Sequence, residues 1–383
     1  MSSGSYCVRE RPPSSMPGEV GRSVPPAIPS RLPDGFPCAM EPTGDVMKEA
    51  MFYRKLDGNE TACFLCPHHC RILPGKRGKC AVRENRDGKL YSLVYGKLIA
   101  LHIDPIEKKP LFHFCPGTTS FSIATAGCNL QCRFCQNADI SQAPRDHRTI
   151  FGEDIQAAVV VERARQHGCA TISYTYTEPT VFMEYALDTA RRARAAGLGN
   201  VFVSNGFMTE EAFEAVAPFL DAANVDLKAF NDAFYREQCG ARLDPVLKTL
   251  ERMKKRGIWL EVTTLLIPGL NDGDEELKSL AGFLVELGPE TPWHVSRFHP
   301  DYLMTHVPPT PVETLRRARR IGIEAGLWYV YTGNIPGDEG EHTFCRNCGL
   351  KLIDRFGFTI GRKQLSQGAC VNCGTLLHGV GIR

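Results

Sequence analysis

From about residue 119 to 332, apolar and polar positions alternate between two patterns. Short runs rich in β-branched, aromatic and small residues recur at 120–126, 171–177, 200–205, 223–228, 258–264, 293–298 and 328–331. They have the length and composition of buried strands. Amphipathic stretches lie between them. In one, Phe182, Tyr185, Ala186, Thr189, Ala190 and Ala193 share a single stripe, at the i, i+3, i+4, i+7 spacing of a helix packed on one face. Repeated strand–helix units with right-handed crossovers predict a parallel α/β sheet, either doubly wound or curled toward a barrel. In barrels the chemistry sits at the C-terminal ends of the strands. Polar and glycine-containing segments fall at those ends here: Thr177-Glu178-Pro179, Ser204-Asn205-Gly206, Asp226-Leu227-Lys228, Pro268-Gly269 and His299-Pro300.

The flanks lack this alternation. Residues 1–50 carry Arg11-Pro12-Pro13-Ser14-Ser15 and Pro25-Pro26 without periodicity, which predicts a disordered leader, with Cys7 and Cys38 unassigned in it. Residues 51–118 form a cysteine-rich module with short strand-like runs, 119–335 form the core, and 340–383 form a second cysteine-rich module. The chain of 383 residues is 43% hydrophobic and 23% charged, with a formal net charge of +2. That balance gives no electrostatic reason to expect nucleic acid or a membrane surface as partner. Arg316-Arg317-Ala318-Arg319-Arg320 falls in a helical pattern and reads as a solvated helix face.

Sixteen cysteines change the picture. No apolar signal region opens the chain, and no run approaches the length of a membrane span. The expected setting is a reducing cytoplasm, where clustered cysteines bind metal as thiolates. The tightest cluster is Cys128-x3-Cys132-x2-Cys135, just after the first core strand. At this cysteine frequency roughly 0.03 accidental copies of the spacing are expected. Soft thiolates at such spacing suit an iron–sulfur cluster, and three ligands on a four-iron cube leave one iron open. A zinc knuckle fits poorly without a neighbouring fourth ligand.

This loop resembles that of the radical S-adenosylmethionine (SAM) superfamily, Cys-x3-Cys-x-aromatic-Cys, with Phe134 in the aromatic slot. The resemblance is strongest to the pyruvate-formate-lyase-activating-enzyme-like group, and within it to the radical SAM member of the AmmeMemoRadiSam system. Tyr174 to Thr180, Val203-Ser204-Asn205-Gly206 and Tyr331-Thr332-Gly333-Asn334 carry it, as do Cys66-Pro67-His68 and the run from Asp104 to Pro110. The implied fold is a partial (β/α)6-type radical SAM barrel between the two cysteine-rich modules. The implied activity is reductive cleavage of SAM at a [4Fe–4S] cluster to a 5′-deoxyadenosyl radical, which takes hydrogen from a substrate.

The same resemblance implies roles for residues at the strand ends. Glu178 would bind the SAM ammonium, although Tyr176-Thr177-Glu178-Pro179 departs from the generic Gly-Gly-Glu-Pro; helix capping is the alternative. Ser204 and Asn205 would contact SAM, against a plain Asn-Gly turn. Asp226 would order the site and Lys228 face the reaction chamber, against a buried salt bridge. Gly269 would border the adenine, against a β-turn. His299 would contact SAM or substrate, against a structural histidine.

The tail carries Cys345-x2-Cys348 and Cys370-x2-Cys373, each pair followed by glycine. This predicts a zinc ribbon, with an auxiliary iron–sulfur cluster as the alternative. Cys63, Cys66, Cys70 and Cys80 could form a further four-thiolate site, or be four separate buried thiols. The resemblance implies a protein substrate, with the other AmmeMemoRadiSam proteins as candidates, and a low-potential donor such as flavodoxin or ferredoxin. A non-enzymatic metal-binding scaffold is the competing reading, and a small-molecule or RNA substrate the narrower one.

Overall fold

Seven parallel strands separated by six helices build the core of the computed structural model, which describes residues 47–382. In order these are β1 (Thr119–Thr125), α1 (Ala157–Gln166), β2 (Thr171–Tyr174), α2 (Met183–Ala195), β3 (Gly199–Ser204), α3 (Glu210–Val216), β4 (Ala222–Asp226), α4 (Asp244–Lys255), β5 (Trp259–Leu266), α5 (Asp274–Leu287), β6 (Trp293–Arg297), α6 (Val312–Ala325) and β7 (Val330–Gly333). The register runs Thr171↔Ser120, Val201↔Ala222 and Val262↔Trp293. Helices cover the strands, so Ile123, Ile172, Phe202, Val225, Val262 and Val295 are all buried, which is why these strands read as apolar runs. On α2 the stripe Tyr185, Ala186, Thr189, Ala190 and Ala193 is buried as the periodicity predicts.

The fold is the expected α/β class, with an open sheet. Strand order runs from β7 through β1 to Lys97–Pro105 and then Glu153–Asp154, and the two edges do not pair. Lys97–Pro105 is antiparallel to β1, with His102↔Ser122. The sequence division at 118/119 thus separates a strand from the sheet it joins. Strand ends also differ. The pattern predicts strand to Thr177 and to Lys228, but β2 stops at Tyr174 and β4 at Asp226. Tyr176 has φ +63°, and Thr177 N donates to Thr175 O at 2.7 Å. Leu227 N likewise donates back to Val225 O at 3.1 Å. The chain leaves the ladder early and places its polar residues on loops.

The predicted leader, residues 1–50 with Cys7 and Cys38, lies outside the described residues up to position 46, but its last residues are not disordered: Lys48–Glu49 is a strand and Ala50 is buried. After it, two three-stranded sheets form the N-terminal module: Tyr53–Lys55, Thr61–Cys63 and Arg71–Ile72, and then Lys48–Glu49, Lys89–Ser92 and Arg83–Arg86. Arg83 ties this module to α2 by pairing with Glu184, each side chain 1% exposed. Glu184 also accepts from Met51 N at 2.7 Å, and Arg83 donates to Met51 O at 2.7 Å.

The tail folds as three antiparallel strands, Thr343–Phe344, Lys351–Phe356 and Thr359–Lys363, with a short hairpin beyond. It docks where β5, β6 and β7 begin. Buried Arg355 donates to Phe112 O at 2.9 Å. Glu261 accepts from the backbone of Phe112 and His113 at 3.0 and 2.8 Å, and His294 lies 2.7 Å from it. This network occupies the N-terminal side of the sheet, where residues serve stability. The arginine run on α6 faces outward, with Arg316 and Arg317 paired to Asp338 and Asp274. No described helix is long and apolar enough to cross a membrane.

Candidate active site

Because β1 to β7 are parallel, their C-terminal ends share one edge of the sheet, and the cysteine loop leaves β1 there. Gly127 makes the exit possible. Its φ is +104°, and a Cβ would come within 2.6 Å of Val82. Cys128, Cys132 and Cys135 follow on a loop held from across the sheet. Gln131 N and Arg133 N donate to the carbonyls of Cys239 and Gln238 at 2.8 and 2.9 Å, and Phe134 packs in the core against Phe234.

Hydrogen-bond donors point at the sulfurs. Leu130 N lies 3.3 Å and Asn205 Nδ2 3.6 Å from Cys128 Sγ, and Ser141 Oγ lies 3.2 Å from Cys135 Sγ. Burial raises the Cys128 thiol well above the ordinary value, with Glu178 adding to it, and burial also raises Cys135. Cys132 is lowered, first by a hydrogen bond from the Cys239 thiol and then by the Lys228 cation. Of the three sulfurs, position 132 is thus the one whose surroundings favour the charged form.

Asp226 and Lys228 meet as an ion pair at 3.0 Å, with side chains 38% and 14% exposed. Burial works against the Lys228 ammonium, but Asp226 and the sulfurs at 132 and 239 outweigh it and raise it well above the usual lysine value. Its Nζ also sits 5.8 Å from the centre of the Phe134 ring. Both expected residues are thus brought to the cysteine loop, and the salt bridge offered as the alternative is present as well.

Glu178 is 2% exposed. One carboxylate oxygen accepts from Thr180 N, Thr180 Oγ1 and Ser204 Oγ at 3.0, 2.6 and 2.8 Å, and the other accepts from Asn205 N at 2.8 Å. It caps the turn Pro179–Phe182 and staples the end of β2 to the end of β3. The geometry favours the capping alternative over a carboxylate waiting for an ammonium. Ser204 and Asn205 are thereby fixed, and Asn205 Nδ2 reaches Asn129 Oδ1 at 2.9 Å as well as the Cys128 sulfur. We expect Glu178→Gln to destabilise the fold by about 1–3 kcal/mol, because its amide group would face donors already in place. An unchanged thermal midpoint would remove the carboxylate from this role.

Gly269 lies in the loop after β5 with φ +73°, its N–H donating to Asp272 at 2.8 Å. It fits the turn reading. His299 is exposed just past β6, and neither residue is drawn into the network around the cysteines. Sequence reasoning missed Cys239, whose thiol meets Cys132 from the segment Tyr235–Cys239. Nothing in its local spacing signals that contact. It also missed the group beside the loop in which Asp104 accepts from Lys109 at 2.6 Å and from Tyr176, while Asn137 Nδ2 holds Tyr176 O at 2.8 Å.

The radical SAM superfamily pattern matches residues 122–281. An uncharacterized protein of Methanocaldococcus jannaschii is 50% identical over 331 residues, 86% of this chain and 98% of that protein. The chain belongs to the radical SAM superfamily. This radical SAM enzyme is also 28% identical over 177 residues to the isethionate sulfite-lyase activating enzyme of Nitratidesulfovibrio vulgaris, spanning 44% of the chain and 56% of that enzyme. A solved domain of pyruvate-formate lyase-activating enzyme from Bacteroides vulgatus matches with TM-score 0.39 and 19% identity, over 43% of this chain and 99% of that one.

The family implies a [4Fe–4S] cluster and SAM, and the residues present fit the cluster. Three cysteines share one loop, with donors at the sulfurs of Cys128 and Cys135, and they are not drawn together to the spacing of a single ion. Among the described residues only Cys345, Cys348, Cys370 and Cys373 gather all their sulfurs within 4.8 Å. That tail set is a metal site. Gly349 and Gly374, both at positive φ, donate to the carbonyls of Cys345 and Cys370 at 2.9 Å, folding each Cys-x2-Cys into a tight knuckle.

Proposed function

We propose that this radical SAM enzyme abstracts a hydrogen atom from a polypeptide, in the manner of an activating enzyme. When bound, the cluster supplies one electron to SAM, whose cleavage yields methionine and the 5′-deoxyadenosyl radical. Cys128, Cys132 and Cys135 would hold the cluster. Asn205 and Ser141 orient the sulfurs they touch, and Lys228 with Asp226 sets fixed charge beside Cys132 and the chamber. Ser204, held by Glu178, places Asn205, while Gly269 and His299, in the loops after β5 and β6, are the residues that would meet the adenine and the SAM or substrate.

The observation that carries the polypeptide reading is the open sheet, whose unpaired edges leave room for an extended loop to approach the strand ends. The similarity to an activating enzyme supports it, though fold likeness by itself does not assign a substrate. Candidate partners are the other AmmeMemoRadiSam proteins, with a flavodoxin or ferredoxin as donor in a reducing cytoplasm. The test incubates the anaerobic enzyme with SAM, reductant and candidate proteins, and reads the partner by mass spectrometry and electron paramagnetic resonance (EPR). A modified or radical-bearing partner is expected. SAM cleavage that responds only to a small metabolite or to RNA would sink the reading.

The tail fits zinc, since Zn–S bonds near 2.3 Å place tetrahedral sulfurs about 3.8 Å apart. Here Cys345 and Cys373 lie 3.5 Å apart and Cys348 and Cys370 3.6 Å. Elemental analysis should find about one zinc per chain, lost in Cys345→Ser/Cys348→Ser. Iron in its place would make the ribbon an auxiliary cluster.

A further inference from the structure

Four more cysteines converge in the N-terminal module. Cys63 closes the strand Thr61–Cys63, Cys66 and Cys70 lie on the loop after it, and Cys80 precedes the strand Arg83–Arg86. All four line one cavity, together with Arg83 and Asn129. Cys63 N donates to Cys70 O at 2.9 Å, drawing the loop ends together. Lys79 N lies 3.5 Å from Cys70 Sγ, an amide aimed at sulfur. Arg83 is almost wholly buried beside Cys63 and Cys80, and its Nε has no hydrogen-bond partner among the described residues. The guanidinium charge is matched by Glu184, and the unused Nε donor lies beside the sulfurs that would hold a metal.

We infer that Cys63, Cys66, Cys70 and Cys80 ligate a second [4Fe–4S] cluster, distinct from the one at Cys128, Cys132 and Cys135. The choice between a cluster and a single ion rests on spacing. The tail cysteines bring their sulfurs within 4.8 Å, as one ion requires, and these four do not, although they share one cavity. Sulfurs spread around a cavity suit an inorganic core with four iron atoms, which sets its ligands wider apart than a lone zinc does. The two cysteine sites stand back to back. His68 Nε2, two residues after Cys66, is 2.8 Å from Asn129 O in the radical SAM loop. Arg145 Nη2 spans Lys79 O and Cys128 O at 3.0 and 3.5 Å.

The inference concerns metal content and stands apart from the substrate proposed above. The experiment uses the full chain with Cys128→Ala/Cys132→Ala/Cys135→Ala, reconstituted anaerobically with iron and sulfide. Iron, sulfide and zinc are counted, and the dithionite-reduced protein is examined by EPR. About four iron atoms per chain are expected, with a [4Fe–4S] signal that does not respond to SAM. Adding Cys66→Ser/Cys70→Ser should abolish that iron and leave the tail metal, whose retention reports that the chain is still folded. A triad variant without iron, one with zinc at the N-terminal module, or iron lost only on replacing Cys345 and Cys348 would each overturn the inference.

Discussion

Cys132→Ala is expected to abolish the SAM-responsive iron signal and SAM cleavage, while the tail keeps its metal. The reason lies in the sulfur's surroundings. Cys132 is the one member of the triad whose thiol is lowered, by Cys239 and Lys228, and it is buried in the core. Removing it leaves a cube with two of its three cysteine anchors and leaves Lys228 without a thiolate neighbour. The Cys239 thiol lies beside the vacated position, so a single alanine there leaves one sulfur near the cluster. Cys135→Ala lacks such a neighbour in its hydrogen-bond set, which is with Ser141. Anaerobic EPR with and without SAM on both variants checks the assignment. A SAM-responsive signal surviving in either would refute it.

A second large effect should come from the junction of the N-terminal module with α2. Arg83→Met is expected to cost about 3–5 kcal/mol, because it strands the Glu184 carboxylate in the interior. The two side chains are each 1% exposed, and Glu184 additionally carries the Met51 amide. In a chain of this size the loss reads as a fall in thermal midpoint of roughly 4–7 °C. Arg83→Met/Glu184→Leu removes both charges and should regain a large part of the loss. A midpoint for the single variant within about 1 °C of the parent would mean that water reaches the pair.

Much of this was legible in local sequence. Strands such as β3 and β5 are covered on both faces, so they read as apolar runs whichever way the sheet curls. The stripe on α2 and the Cys128–Cys132–Cys135 spacing are short-range signals of the same kind. The antiparallel strand Lys97–Pro105 was not legible as part of the core, because His102 and Ile103 are exposed and the alternation is weak. The ends of β2 and β4 were drawn too long, since a positive φ at Tyr176 and a back-turned Leu227 amide leave no clear mark in residue type. Glu178 reads in sequence as a ligand of the SAM ammonium, with capping only as the alternative. Its bonds to Ser204 and Asn205 were not legible, because they join loops from different strands. Cys239 escaped for the same reason.

The central claim is that the edge where β1 to β4 end is a SAM-cleaving site. It is tested most directly by quantifying 5′-deoxyadenosine after the anaerobically reconstituted protein is mixed with SAM and dithionite. The account predicts 5′-deoxyadenosine and methionine in equal amounts from the parent chain, and none above background from Cys128→Ala/Cys132→Ala/Cys135→Ala. Equal product from parent and triple variant, or none from a parent shown by EPR to hold its cluster, would contradict it.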